Sequence, residues 1–211
     1  EIMRTGILIA LLAAFTACAA PPSAQFREKL AANLGKVETV AAAFIQNRRL
    51  KSLDMTLAIT GRLALEKGKR MAWLVREPMR YMCVISEQGL AQWDGDSGEV
   101  LKLSAKRIPW LRLIYSSLSG WLSADLDALG KEFTVETSGE RSLRLTPLDA
   151  GFFKEYVETV EFEFGPGFDR VERLRIVEKN GDEMEIMFRD VVNNQPIPGE
   201  RWQLPPPSNA F

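Results

Sequence analysis

Residues 61–78, GRLALEKGKRMAWLVREP, place apolar side chains at every second position rather than at helical spacing. Leu63 and Leu65 fall on one side of a first segment. After a Gly-Lys turn, Met71 and Trp73 fall on one side of a second segment. Because successive side chains of a strand point to opposite faces, this alternation predicts a β-hairpin with one strongly apolar face. That face needs a cover, which is either an ordinary core or a bound molecule.

The same alternation recurs along much of the chain. Turn signals such as Asp94–Gly98 and Asn180-Gly181 separate neighbouring apolar segments, a spacing typical of an antiparallel meander. The predicted strands are 55–66, 70–76, 80–86, 89–93, 98–103, 132–137, 141–146, 156–164, 169–178 and 182–190. With two or three helices they predict one α+β domain of about 10–11 antiparallel strands.

Two regions have helical spacing instead. Apolar residues at steps of three and four predict a helix that begins near Phe26 and ends near Asn47; they are Phe26, Leu30, Leu34, Val37, Val40, Ala41 and Phe44. In the region 107–130, Pro109 is placed to begin a helix that is apolar on nearly all sides, and Gly120 to end it. Ser123 is placed to cap a second short helix that runs through Ala128.

The N-terminal residues have the pattern of an export signal. Residues 5–17 are almost wholly apolar and follow Arg4, and the run is shorter than the roughly 20 residues of a membrane-spanning helix. We expect residues 1–24 to be a signal peptide and linker, and residues 25–211 to form a single domain. Residues 15–18 resemble a bacterial lipobox, so ordinary cleavage and lipidation at Cys18 both stay open. Either route leads to an extracytoplasmic compartment.

Composition disfavours several classes of function. The net charge is −1, from 27 basic and 28 acidic residues, which disfavours nucleic-acid binding. The chain has no histidine, so Ser-His-Asp and Cys-His catalysis are absent and zinc loses its commonest ligand. Asp94, Asp96 and Glu99 lack the full ligand loop of a calcium site and predict a solvated turn. We therefore expect no enzyme, no metal and no cofactor.

The remaining feature is apolar surface. A one-sided sheet of about ten strands has more apolar face than one short helix covers. Two arrangements stay open: the helices and the sheet close over a dry core, or they leave a cavity for an apolar ligand. The ordinary burial of aromatic residues favours the dry core.

Three segments resemble, in order, motifs of the LolA family of periplasmic lipoprotein carriers. They are VETVAAAFIQNRRLKSL (37–53), GRLALEKGKRMAW followed by Pro78, and FRDVVNNQPIPGERWQLPPP (188–207). The residues that match the family are Val37, Val40, Phe44, Gln46, Gly61, Trp73 and Pro78. The resemblance spans residues 26–207 and implies an incomplete antiparallel β-barrel closed by helices.

The resemblance also implies a function. A monomeric, exported protein would hold the acyl chains of a lipoprotein, or another lipid, in a hydrophobic cavity between the sheet and a helical lid. It would receive them from an inner-membrane release complex and pass them to an outer-membrane acceptor. Two alternatives on the same fold are a membrane-tethered receptor lipidated at Cys18 and an interaction module that carries nothing.

We expect two groups of side chains to line such a cavity. The sheet and helix lining would be Phe44, Leu57, Leu63, Leu65, Met71, Trp73, Ile85 and Trp93, and the lid would be Trp110, Leu113, Ile114 and Leu118. Lys67 takes the place of the family's arginine in the first hairpin turn, which holds the lid, and Gly68 replaces the family's proline. Lys67 is therefore the candidate latch, although an ammonium group does not reproduce the fork of a guanidinium.

Overall fold

The three-dimensional structure is a computed structural model that describes residues 20–104, 120 and 125–206. Within these residues the strands are β1 (Thr39–Leu50), β2 (Met55–Glu66), β3 (Arg70–Glu77), β4 (Tyr81–Ser86), β5 (Gly89–Asp94), β6 (Val100–Ser104), β7 (Phe133–Gly139), β8 (Ser142–Pro147), β9 (Val157–Phe164), β10 (Val171–Glu178) and β11 (Glu183–Asn193). The α-helices are α1 (Ala24–Ala32) and α2 (Leu126–Leu129), and 3-10 helices cover Leu34–Lys36, Lys51–Leu53, Phe152–Glu155 and Gly199–Trp202.

The eleven described strands form one antiparallel sheet in the order β6-β5-β4-β3-β2-β1-β11-β10-β9-β8-β7. β1 lies near the middle of the sheet and pairs with both β2 and β11, which joins an N-terminal meander to a C-terminal one. β6 and β7 are the two edges, so the sheet is open rather than a closed barrel. The predicted α+β class and antiparallel sheet are confirmed.

The long helix predicted from Phe26 to Asn47 is wrong. α1 begins after Ser23, whose Oγ accepts a hydrogen bond from the backbone N–H of Phe26 at 3.2 Å, and ends at Ala32. Residues Thr39–Leu50 are strand β1, in which burial alternates from Val40 onward. Val37 follows the 3-10 helix Leu34–Lys36 and Val40 lies in β1, so the three-residue spacing between them does not belong to one helix. β1 is hydrogen-bonded on both sides, which outweighs the helical preference of its alanines.

The larger core lies on one face of the sheet and includes residues of α1 and α2. α1 places Phe26 edge-on against Phe168, with ring centroids 5.2 Å apart, and Leu30 is also buried there. The core continues along alternate residues of the strands to Leu145 and Val160, both with no exposed surface. We call this face of the sheet the inner face.

The opposite, outer face has two different halves. Over β8–β11 and β1 it carries a ladder of ion pairs, in which Glu161 binds Arg144 at 2.6 Å and Arg175 at 3.3 Å. Arg175 also binds Glu183 at 2.9 Å, and that hydrogen bond lowers the pKa of the Glu183 carboxyl below its usual range. Over β2–β5 the outer face carries a smaller apolar cluster, which is covered by the C-terminal segment through Ile197, Trp202 and Leu204.

The region 107–130 was predicted to hold two helices. The described part begins α2 at Leu126, and Asp125 rather than Ser123 caps it, accepting a hydrogen bond from Ala128 N at 3.0 Å. The expected lid residues Trp110, Leu113, Ile114 and Leu118, and the expected lipidation site Cys18, lie outside the described residues.

Candidate functional site

The inner face carries a half-open apolar cavity of about 240 Å³ over the middle of the sheet. Its described lining is Gln46, Met71, Trp73, Cys83, Ile85, Leu174, Ile176, Met184, Ile186 and Phe188. β4 and β10 are five strand positions apart, which is about 24 Å in a flat sheet. Since both strands line one small cavity, the sheet must curve strongly around it.

An aromatic stack forms the floor beside this cavity. Phe44 on β1 lies directly opposite Gly61 on β2, and its ring stacks on Trp73 with centroids 3.9 Å apart at an angle of 23°. A Cβ atom at Gly61 would lie 2.4 Å from Phe44 Cζ and 2.1 Å from the backbone oxygen of Leu74. Glycine is therefore required at this point so that the Phe44 ring can lie across the strand.

The cavity lining carries no charged side chain among the described residues. Cys83 is a buried free cysteine, and burial raises the pKa of its thiol to about 11, so it is neutral at ordinary pH. Burial, with Cys83 next to it, also raises the pKa of the Tyr81 hydroxyl well above its usual value. A cavity with this lining favours the binding of alkyl chains and disfavours the burial of ions.

The structure brings most of the expected sheet residues to the inner face. Phe44, Leu63, Leu65, Met71 and Ile85 are buried in its core, and Trp73 packs against them. Three of this set, Met71, Trp73 and Ile85, line the cavity directly.

Two expected lining residues lie elsewhere. Trp93 pairs with Met82 and is buried in the outer apolar cluster beneath the C-terminal segment, because it is out of phase with Ile85 on the neighbouring strand. Leu57 is half-buried opposite Arg48, near the start of β2, and is not part of the cavity lining.

The far wall of the cavity contains residues that the sequence did not single out as lining. Leu174 and Ile176 on β10 face Ile186 and Met184 on β11 in register. The alternation of Met184, Ile186 and Phe188 with charged residues carried this signal. What sequence alone does not give is the curvature that brings this wall opposite β3 and β4.

Lys67, the candidate latch, contacts the N-terminal region. Its Nζ donates to the backbone oxygen of Gly35 at 3.1 Å, and its backbone N–H donates to Glu38 O at 2.8 Å. Both contacts tie the β2–β3 turn to the segment that follows α1. Its role toward a lid stays a prediction, since the expected lid residues lie outside the described ones.

A second cavity of about 280 Å³ lies on the outer face, between the sheet and the C-terminal segment. Ala41 and Ala43 line its floor, but Arg62, Asp190, Glu200 and Arg201 also line it. Burial and the neighbouring Arg201 lower the pKa of Arg62. An alkyl chain placed there would desolvate charged groups, so the inner cavity is the better site for an apolar ligand.

Across the described residues, no three His, Cys, Asp or Glu side chains are grouped closely enough to hold a metal ion. The acidic turn 94–99 has an internal explanation. Asp94 Oδ1 accepts hydrogen bonds from the backbone N–H groups of Asp96 and Ser97, each at 2.9 Å, which lowers the pKa of Asp94. Separately, no helix in the described part of the chain has both the length and the apolar content to cross a bilayer.

Two sequence comparisons identify relatives of this chain. The profile of the family described as "Outer membrane lipoprotein carrier protein LolA" matches residues 35–204. A relative from Legionella pneumophila (strain Corby), named "Outer-membrane lipoprotein carrier protein", is 22% identical over 184 residues, which are 87% of each chain.

Comparison with solved structures gives matches of low sequence identity. An uncharacterized conserved protein from Thermus thermophilus superposes with a TM-score of 0.50 at 8% identity, covering 87% of this chain and 93% of that one. The Pseudomonas aeruginosa MucA/MucB complex gives a TM-score of 0.48 at 12% identity over 84% of this chain. This chain spans only 59% of the chain matched in that complex.

Proposed function

The chain belongs to the LolA family of outer membrane lipoprotein carrier proteins, and on that premise we propose that it carries acylated cargo in the inner cavity. The cargo is the acyl chains of a lipoprotein or of a related lipid, and the direction of transfer is toward the outer membrane. The observation that carries the proposal is an apolar cavity on the curved sheet, with no charged side chain in its described lining, beside the motif residues Phe44, Gln46 and Trp73.

The energetics of acyl-chain transfer require such a cavity. Each methylene removed from water contributes about 0.8 kcal/mol, so even a short chain brings several kcal/mol to the complex. The outer ion-pair ladder makes one half of the other face polar, and charged side chains line the cavity on its other half, so the inner cavity is the more favourable place for an alkyl chain. A carrier also has to release its cargo, and a cavity lined by rigid strands needs a movable cover to do so.

We propose the cellular setting from the same premise. Residues 1–24 direct export to the periplasm, residues 25–211 form a single binding domain, and the carrier acts as a monomer without catalytic activity. Its partners are an inner-membrane complex that loads it and an outer-membrane acceptor that unloads it. The region 107–130, with Trp110, Leu113, Ile114 and Leu118, supplies the cover.

The test is a pair of tryptophan substitutions on adjacent strands of the C-terminal half of the sheet. Met184→Trp fills the inner cavity, whereas Val177→Trp adds the same ring to the outer face, opposite Glu183. Protein purified without detergent is incubated with a triacylated lipopeptide and analysed by native mass spectrometry. We expect bound lipopeptide on the wild type and on Val177→Trp, and at least a tenfold lower bound fraction on Met184→Trp.

Two results would contradict the proposal. One is a wild-type protein that remains ligand-free after incubation with the acylated peptide. The other is equal loading of both variants, which would place the acyl chains outside the inner cavity. The same peptide without acyl chains is the negative control.

A further inference from the structure

Gln46 is the one amide side chain among the described residues that line the apolar cavity. It is only 8% exposed and lies on β1 between Ile59 of β2 and Ile186 of β11 in the register of the sheet. In the described part of the chain, its carboxamide meets no hydrogen-bonding partner, and the amide stays accessible from the cavity. An amide that is accessible only from an apolar cavity loses its water when a ligand fills that cavity, so it points to a hydrogen-bonding group that enters with the ligand.

The remaining lining limits what that partner can be. The other polar side-chain atoms there are the indole nitrogen of Trp73 and the thiol of Cys83, and no lining side chain among the described residues carries a charge. A carboxylate or an ammonium group placed beside Gln46 would have no counter-ion, and burying an unpaired ion is costly. The part of the ligand that reaches Gln46 is therefore polar but uncharged.

A carboxamide has two N–H donors and one carbonyl acceptor. Its natural complement on an acyl chain is the carbonyl oxygen of the ester or amide that links the chain to its carrier molecule. That group is neutral, lies at one end of the alkyl chain and accepts hydrogen bonds. An ether-linked chain of the same length lacks it, and a free fatty acid replaces it with an anion.

We propose that the Gln46 carboxamide donates a hydrogen bond to the ester or amide carbonyl of a buried acyl chain, so that the cavity selects covalently linked acyl chains over free fatty acids. The inference rests on the proposed function, because it names the chemical group that the same cavity recognises. It gives Gln46 a role in orientation, since a carbonyl fixed at β1 leaves the alkyl tail to extend over Met71 and Ile176.

The experiment is a cycle of two ligands and two proteins. The ligands are 1-lauroyl glycerol and its ether analogue 1-O-dodecyl glycerol, which differ at the carbonyl, and their dissociation constants are measured by displacement of a fluorescent apolar probe. The proteins are the wild type and Gln46→Met, which keeps the side-chain length. We expect the wild type to bind the ester about three- to tenfold more tightly than the ether, the value of one net hydrogen bond between uncharged groups.

The variant should bind both ligands with equal affinity, and laurate should bind the wild type at pH 8 more weakly than the ester. Met184→Leu is the control, because it changes the cavity without removing a hydrogen-bond donor and should preserve the ester preference. In urea unfolding, Gln46→Met should be at least as stable as the wild type, since the Gln46 amide has no hydrogen bond within the described residues to lose.

Three results would overturn the inference. They are an equal affinity of the wild type for ester and ether, an ester preference that persists in Gln46→Met, and tighter binding of laurate than of the ester. If neither ester nor ether binds the wild type, the proposed function fails as well. If both bind without preference, the carrier function stands and only the role of Gln46 is lost.

Discussion

Gly61→Ala tests the aromatic floor of the cavity. The new Cβ would lie 2.1 Å from the backbone oxygen of Leu74 and 2.4 Å from Phe44 Cζ, whereas ordinary contacts begin near 3.4 Å. Neither neighbour moves freely. The Leu74 oxygen belongs to strand β3, and the Phe44 ring is 1% exposed and stacked on Trp73.

The magnitude follows from these two clashes. Overpacking a core typically costs about 1–3 kcal/mol, and a clash with paired backbone belongs at the upper end, so we expect a loss of about 3 kcal/mol or more. The assay is equilibrium urea unfolding followed by tryptophan fluorescence, with the slope checked for constancy. Displacement of the Phe44 ring should also weaken binding of apolar probes to the inner cavity.

Gly199→Ala is the matched control, because a Cβ there has open space within 4 Å. It should leave the unfolding free energy within about 0.5 kcal/mol of the wild type. A Gly61→Ala protein that is as stable as this control would refute the close approach of Phe44 to β2, and with it the described floor of the cavity.

Three further predictions concern stability. Because burial raises the pKa of Cys83 from 9.0 to about 11, the unfolded thiol releases its proton first as pH rises. The contribution of Cys83 to the free energy of unfolding should therefore be fully present below pH 9 and fall by up to roughly 3 kcal/mol between about pH 9 and 11. Cys83→Ala should make this pH dependence less steep. An unchanged pH dependence in the variant would contradict the assignment of the slope to Cys83. Glu161→Gln should cost about 1 kcal/mol at low salt and less in 1 M NaCl, because Arg144 and Arg175 are partly solvated; a cost that salt does not alter would count against an ionic ladder. Trp202→Phe should change stability by less than about 1 kcal/mol in thermal unfolding, because the buried Trp202 Nε1 has no acceptor among the described residues, and a larger loss would reveal a hydrogen bond at that nitrogen.

The hairpin at residues 61–78 was predictable because side chains on a strand alternate with a period of two. Leu63 and Met71 lie on the inner face as that period requires. The same rule placed nearly all of the strands, since turn residues separate them. What the period does not show is that Ala64 and Leu74 on the other side are also buried, because their cover comes from the distant C-terminal segment.

The helix prediction was wrong at a residue spacing that fits both a helix and a strand. Val40 and Phe44 are four residues apart, which fits one turn of a helix and equally two steps along a strand. Only pairing with β2 and β11 decides between them, and β11 is remote in sequence. For the same reason half of the cavity was missed: Ile176 and Ile186 face Met71 and Ile85 only because the sheet curves.

The most direct measurement of the central claim is the location of a bound acyl chain. A lauroyl glycerol ester with a diazirine at the end of its chain is bound to the wild-type protein and irradiated, and the labelled residues are identified by mass spectrometry. We expect labels on inner-cavity residues such as Met71, Ile85 and Ile176. Labels on Ala43 and Arg62 of the outer cavity, or labels scattered over the surface, would contradict it.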